Sequence, residues 1–214
     1  GQNWDRVTRS PLTEIGVNAK EGDYIIAING TKTSDVVNIN QLLIATADKQ
    51  VKLTLNSKPS EEGSRVVTVV PTNDEQKLIY YNWVEENYEK VNKATNGRVG
   101  YLHIPNMGSE GLNEFVKHFY AQLSKEALIV DDRGNGGGNV SPHIIERLRR
   151  EPVQVTLMRN SMPSFEPNEQ IIGPKVALVD EWSASDGDIF AYRFRKHNLG
   201  PIIGKRTWGG VVGI

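Results

Sequence analysis

Two turns in the sequence collect the residue types from which an acyl-transfer site can be built. One is Asp180-Glu181-Trp182-Ser183-Ala184-Ser185-Asp186-Gly187-Asp188-Ile189-Phe190, which follows the apolar run Val176-Ala177-Leu178-Val179. A serine at the point where a strand breaks sharply into a helix can project its hydroxyl above the sheet edge. The helix N-terminus adds partial positive charge there, which favours a developing oxyanion. Ser185 is the candidate nucleophile. A plainer reading makes Ser183 or Ser185 a helix cap, because Ser183 and Asp186 stand at capping-box spacing. Both roles can hold together, with Ser183 as the cap and Ser185 reactive.

The other turn is Asp131-Asp132-Arg133-Gly134-Asn135-Gly136-Gly137-Gly138-Asn139-Val140, which follows Ala127-Leu128-Ile129-Val130. Three consecutive glycines forgo side-chain packing and carry a large entropic cost. Such a run suits a backbone that presents its N–H groups to a ligand at close range. It is equally readable as a tight turn in which Asp132 and Arg133 form a local ion pair. A dinucleotide fingerprint needs glycine at 134, 136 and 139, but position 139 is Asn and no Walker lysine follows, so nucleotide binding is disfavoured. Acyl transfer needs a nucleophile and two donors aimed at the oxyanion. The glycine loop and the amide after Ser185, both at strand ends, can supply that pair.

A serine hydroxyl also needs a base. His103, His118, His143 and His197 are the chain's four histidines. His118 and His197 fall on helical segments among polar neighbours, which marks them as surface residues. His143 lies in the first turn of the helix after the glycine loop, and His103 in a strand with apolar neighbours. None is placed by local sequence as the base, and no local sequence supplies a triad.

The elements that must hold these turns follow from periodicity. Up to about residue 70 the chain reads as short strands and turns: Asp23 to Ile28 closed by Asn29-Gly30, a short helix from Ile39 to Ala47, and a hairpin of Val51–Leu55 with Val66–Val70. Thr72 and Glu75 are spaced as a capping box opening a helix to about Asn92, with Tyr80, Val84, Tyr88 and Val91 on one face and Asn96-Gly97 after its end. From residue 97 the grammar changes to alternating strands and helices: a strand at Val99–Ile104, a helix at Leu112–Leu123, buried strands at 127–130 and 176–179, and a helix from Ser185 to His197. Ser141-Pro142 reads as N-cap and first-turn proline of a further helix. The expected fold is therefore a β-rich first domain (1–70), a linking helix (71–96) and an α/β domain (97–214) with a largely parallel sheet.

Composition narrows the function classes. A formal net charge of −1 gives no broad pull toward nucleic acid or anionic membrane. No run approaches the roughly 18 apolar residues that cross a bilayer. Without cysteine there is no disulfide, thiolate metal site or cysteine nucleophile, which fits cytoplasm and periplasm alike. The start at Gly1-Gln2-Asn3-Trp4 and the apolar end at Val211-Val212-Gly213-Ile214 read as the cut ends of a longer protein.

The strings Ser183 to Phe190, Gly204-Lys205-Arg206-Thr207-Trp208-Gly209-Gly210 to Ile214, and Asp132 to Gly138 resemble those of the tricorn and tail-specific (C-terminal processing) serine peptidases. Ser10-Pro11-Leu12-Thr13-Glu14-Ile15-Gly16-Val17 and Glu21 to Gly30 are similar to the PDZ domain of the same family. The resemblance covers nearly the whole chain in the family's order. It implies a PDZ-like domain lacking its first strand, followed by a ClpP/crotonase-like catalytic domain. It also implies Ser185 as nucleophile, the amides of Asp186 and Gly138 as oxyanion donors, Gly137 and Thr156 as substrate-side positions, and no metal or organic cofactor. The family's specificity-pocket acid falls at the neutral Thr156, which argues against a preference for basic residues before the scissile bond. Family members take their histidine and an assisting serine from upstream of the PDZ module and a glutamate from well downstream of the nucleophile, so the resemblance implies a base outside this chain and an inactive fragment. Peptides or unfolded segments are the implied substrates, and a homo-oligomer, in the family a hexamer, the implied assembly. A non-catalytic PDZ-containing peptide-binding scaffold is the alternative.

Overall fold

The computed structural model describes residues 8–211, so the expectations placed on Gly1–Trp4 and on the last three residues lie outside the described part. The chain divides into two compact units, one up to Trp83 and one from Val84 onward.

The first unit is built on an antiparallel sheet of β1 (Tyr24–Ile28), β2 (Thr31–Lys32), β3 (Val51–Asn56) and β4 (Arg65–Val69), in the order β2-β1-β3-β4. Asn29 and Gly30 join the first two strands with φ of 49° and 85°. Both are left-handed, as a two-residue hairpin turn that follows strand twist requires. Alternate residues of β3 and β4, Val51, Leu53, Leu55, Val67 and Val69, point into one core with Ile28 and Val17. The expected helix at 39–47 is only a 3-10 turn, Ile39–Leu43. The Asn38 side chain caps it by accepting the N–H of Asn40, and Ala45, with φ of 56°, turns the chain out of helical geometry.

Helix α1 (Gln76–Ala94) spans the division between the units. The expected Thr72/Glu75 capping box does not form. The Thr72 hydroxyl bonds the backbone of Asp74 instead, and the Asp74 carboxylate accepts the Gln76 N–H at 2.8 Å, which starts the helix four residues later than Thr72. Of the apolar stripe only Val84 is fully buried. Asn96 and Gly97 end the helix in left-handed conformations, with Gly97 N–H bonding Asn92 O at 2.8 Å.

The second unit carries a parallel sheet of β5 (Val99–His103), β6 (Ala127–Asp131), β9 (Lys175–Val179) and β10 (Ile202–Gly204), ordered β10-β9-β6-β5. Between its strands lie α2 (Ser109–Tyr120), α3 (Ser141–Leu148) and α4 (Asp186–Lys196), while β7 (Gln154–Thr156) and β8 (Ser164–Glu166) form a separate antiparallel pair. Leu128, Val130 and Ala177 pack with Phe115, Phe119, Ile144, Leu148, Phe190 and Phe194 in one core. The opposite face, through Ile129, Val176 and Leu178, is half-buried, so the two central strands are not covered on both sides as expected. Neither the β7–β8 pair nor β10 was expected, because three-residue strands are too short to show a period. Among the described residues no helix is long and apolar enough to cross a membrane.

Candidate active site

Strands β6 and β9 are parallel neighbours with Asp131 opposite Leu178. The two turns that follow them therefore leave the same sheet edge side by side, where open α/β folds place their ligands.

Ser185 stands at the N-cap position of α4 with φ 53° and ψ −115°. For a residue with a Cβ this backbone costs about 1–3 kcal/mol, held by its surroundings. Its hydroxyl makes no capping bond, and the residue is exposed. Ser183 is not the cap either. It is fully buried, donates its hydroxyl to Asp132 O at 2.8 Å and accepts the Asp180 N–H at 3.2 Å.

The glycine loop lies against Ser185. A Cβ built on Gly137 would stand 2.6 Å from the Ser185 Cβ, 2.9 Å from Ala184 O and 3.1 Å from the Asp186 nitrogen. One built on Gly138 would stand 2.1 Å from Met107 O, where the loop bridges to the segment before α2. The loop's amides are divided. Gly137 N–H bonds Asn135 Oδ1 at 2.9 Å and Asn139 N–H bonds Met107 O at 2.7 Å. Among the described residues, the N–H groups of Gly138 and of Asp186, at the exposed end of the loop and in the first turn of α4, take no protein acceptor.

Four ties bind the loop to the serine turn. Asp180 Oδ1 accepts the N–H of Gly134 at 2.9 Å, and Ser183 holds Asp132 O. Ala184 N–H bonds Asn135 O at 2.8 Å. Ser141 gives its N–H to Asp186 Oδ2 at 2.9 Å and its hydroxyl to Asp186 Oδ1 at 2.5 Å, while Arg193 donates to the same hydroxyl at 2.8 Å. Ser141 is thus the first residue of α3 and not its side-chain cap. Its position after a glycine loop and before Pro142 suits either role, and only the partner decides. Nothing in local pattern distinguishes Asn135 from an ordinary polar loop residue. It is completely buried, and its side chain reaches Ile104 O, Asp132 and Gly137.

The acids beneath the loop pair differently from expectation. Arg133 pairs with Asp131, at 2.5 Å, not with Asp132. Asp131 also accepts the Tyr101 hydroxyl at 2.7 Å. Burial, then the Asp131 charge and hydrogen bond, push the Tyr101 phenol up. The hydrogen bond to Asp131 holds the Arg133 guanidinium charged. Burial, with the neighbouring Asp131 charge, pushes the Asp132 carboxyl well above the usual carboxylate range. Its Oδ2 is buried without a partner, in keeping with a protonated acid.

Among the described residues, no hydrogen bond joins any of the four histidines to Ser185. His103 is buried against Arg133 O at 2.8 Å, and burial lowers its basicity. His118 bonds Glu114, and His143 and His197 are exposed on or beside other helices. Thr156 lies on β7, and its hydrogen bonds, including one to Glu166 at 2.8 Å, stay within the β7–β8 pair. The structure brings Ser185, Asp186 and Gly137 together, with Gly138 next in the loop and against Met107, and among the described residues Thr156 makes no hydrogen bond to them. Among the described residues no group of three or more His, Asp or Glu side chains is arranged to hold a metal ion.

An exposed, strained serine at a strand-to-helix turn, with a glycine loop pressed against it, defines a hydrolase-type site on a parallel sheet. Comparison with known proteins agrees. Residues 98–214 match the model of Peptidase family S41, and residues 1–74 that of the Tricorn protease PDZ domain. The chain belongs to Peptidase family S41. It is 39% identical to "Tricorn protease homolog 1" of Streptomyces coelicolor over 98% of this chain and 20% of that protein. It is 38% identical to "Tricorn protease" of Thermoplasma acidophilum over 96% of the chain and 19% of that protein. A crystal structure of the tricorn protease matches 99% of the chain with a TM-score of 0.88 at 37% identity, and the match covers 20% of that structure's chain. The chain spans about a fifth of the length of these relatives.

Proposed function

We propose that the protein containing this chain is a serine peptidase in which Ser185 attacks a peptide carbonyl and the amides of Gly138 and Asp186 hold the oxyanion. One observation supports the reading: the glycine loop, through Gly137, packs against the turn of an exposed serine whose hydroxyl is not used as a cap. Donors fixed before reaction cost no reorganisation as charge develops, which is why such pairs stabilise a tetrahedral intermediate. Family membership supports the same chemistry.

The base comes from residues outside this chain, a reading supported by the absence, among the described residues, of any hydrogen bond between its histidines and Ser185. The chain by itself is then close to inactive. Residues 97–214, read as a ClpP/crotonase-like domain, carry the chemistry. Residues 1–70, matched as a tricorn-type PDZ domain, deliver or gate peptide or unfolded substrate, joined by the helix of 71–96. Gly137 borders the substrate path, Thr156 lies on a more distant substrate-side element, and the intact protein assembles as a homo-oligomer.

The test assays the full-length protein and its Ser185→Ala variant on a peptide library. Loss of turnover of about 10³-fold or more is expected. Equal turnover rejects the assignment. Fluorophosphonate labelling separates this reading from a peptide-binding scaffold, because only an activated serine reacts.

A further inference from the structure

The bond between Ser141 and Asp186 has no place in the reaction as written above, which uses only the main chain of Asp186. Both groups are buried, Ser141 completely and Asp186 to 4% exposure. A buried polar group is kept where its hydrogen bonds are made, and here Ser141 supplies two of them, at 2.9 and 2.5 Å. Arg193, two turns along α4 from Asp186, donates to the same hydroxyl. The three side chains join α4 to the first residue of α3.

That junction ties the segment just after the glycine loop to the serine turn. Gly136, Gly137 and Gly138 have no side chains with which to hold a conformation. The near end is held by Asn135, whose carbonyl takes the N–H of Ala184, the residue before Ser185. The far end is held by main-chain bonds of Gly137, Asn139 and Val140 to Met107, and just beyond them at Ser141 by the carboxylate of Asp186, the residue after Ser185. The residues flanking the nucleophile thus tie the chain on either side of the Gly138 amide.

Resting on the reading of Ser185 and these amides given above, we propose that the Asp186 carboxylate is a positioning group that acts through Ser141 to set the spacing of the Gly138 and Asp186 N–H groups. Asp186 then works twice, with its amide on the oxyanion and its side chain on the loop that carries the other donor. Oxyanion donors must be held to within about half an ångström of their productive places, and removing one costs about 10²–10³-fold in kcat. A loosened donor should cost less than an absent one.

The experiment compares Asp186→Ala, Asp186→Asn and Ser141→Ala in the full-length protein, with Ser185→Ala as the blank and active sites counted by fluorophosphonate titration. Every variant keeps the backbone amide of residue 186, so a role confined to that amide predicts wild-type kinetics. Asp186→Ala is expected to lower kcat about 10- to 100-fold with KM within about twofold, and to slow labelling in step. Asp186→Asn, whose Oδ1 still accepts the Ser141 N–H, should recover most of that loss. If Asp186→Ala does not fold, Ser141→Ala decides: it removes the hydroxyl bonds alone and should lower kcat several-fold. Unchanged kcat per active site in the folded variants overturns the proposal while leaving the nucleophile in place. Turnover that survives in Ser185→Ala overturns the parent reading instead.

Discussion

Gly137 lies so close to Ser185 that a Cβ on the glycine would stand 2.6 Å from the Cβ of the serine. The approach is one of main chain to side chain, at a φ of +104° that L residues rarely adopt. It makes the glycine run more than a flexible link: at 137 the missing side chain is what lets the loop reach the serine turn.

That contact separates two neighbouring glycines experimentally. Gly137→Ala has to displace Ser185, Ala184 O or the loop itself, and should destabilise the fold by about 1–3 kcal/mol while abolishing fluorophosphonate labelling. Gly136→Ala meets nothing within 4 Å and should unfold within about 0.5 kcal/mol of wild type. Urea titration and labelling of both variants check this, and a tolerated Gly137→Ala would contradict the packing.

Ser185 contributes nothing to the fold beyond its awkward backbone. Its side chain is exposed and caps nothing. Ser185→Ala should therefore melt at the same temperature as wild type, within about 0.5 kcal/mol of stability, with labelling gone. A clear loss of stability in calorimetry would return the side chain to a capping role.

Ser183 is the opposite case, two residues earlier. Its buried hydroxyl satisfies Asp132 O and the Asp180 N–H. Ser183→Ala removes the partner of the Asp180 N–H and leaves Asp132 O with only the longer bond from Asn135 N–H, and should cost about 1–3 kcal/mol, seen as a lower denaturant midpoint. The labelling rate of the protein that remains folded should fall less than in Gly137→Ala, since the loop keeps its ties through Asp180, Asn135 and Asp186.

Asp132 gives a pH signature. Its carboxyl is held above its ordinary value of 3.8 in the folded protein, chiefly by burial. Between that value and the raised folded one, the native state binds the proton that the unfolded chain has lost, so the contribution of Asp132 to stability declines as pH rises. Asp132→Asn, neutral at every pH, should gain stability relative to wild type as pH climbs from about 4 toward neutrality. A constant difference across that range, measured by denaturation at stepped pH, would mean the acid is not held protonated.

Much of the fold was written in local pattern. The Asn29-Gly30 turn, the alternation of Val51, Leu53 and Leu55, and the runs 127–130 and 176–179 are each decided by neighbours in sequence, and the observed strands follow them. Where a short polar side chain had several backbone partners in reach, the pattern misled: Thr72, Ser141 and Ser183 all sit at plausible cap positions and all bond elsewhere. The chain order set a serine and a glycine loop each after an apolar run, and so nominated Ser185, the amide after it and the loop as a site, while the family resemblance singled out Gly137 and Gly138 within the loop. Only the pairing of β6 with β9 put the two turns at one sheet edge. Only the folded chain chose Asp131 as the partner of Arg133 and Asp186 as the partner of Ser141. The reason is physical: strand and turn preferences act over a few residues, whereas the partner of a buried polar group is whichever group packing brings within 3 Å, here from across 45 residues of chain.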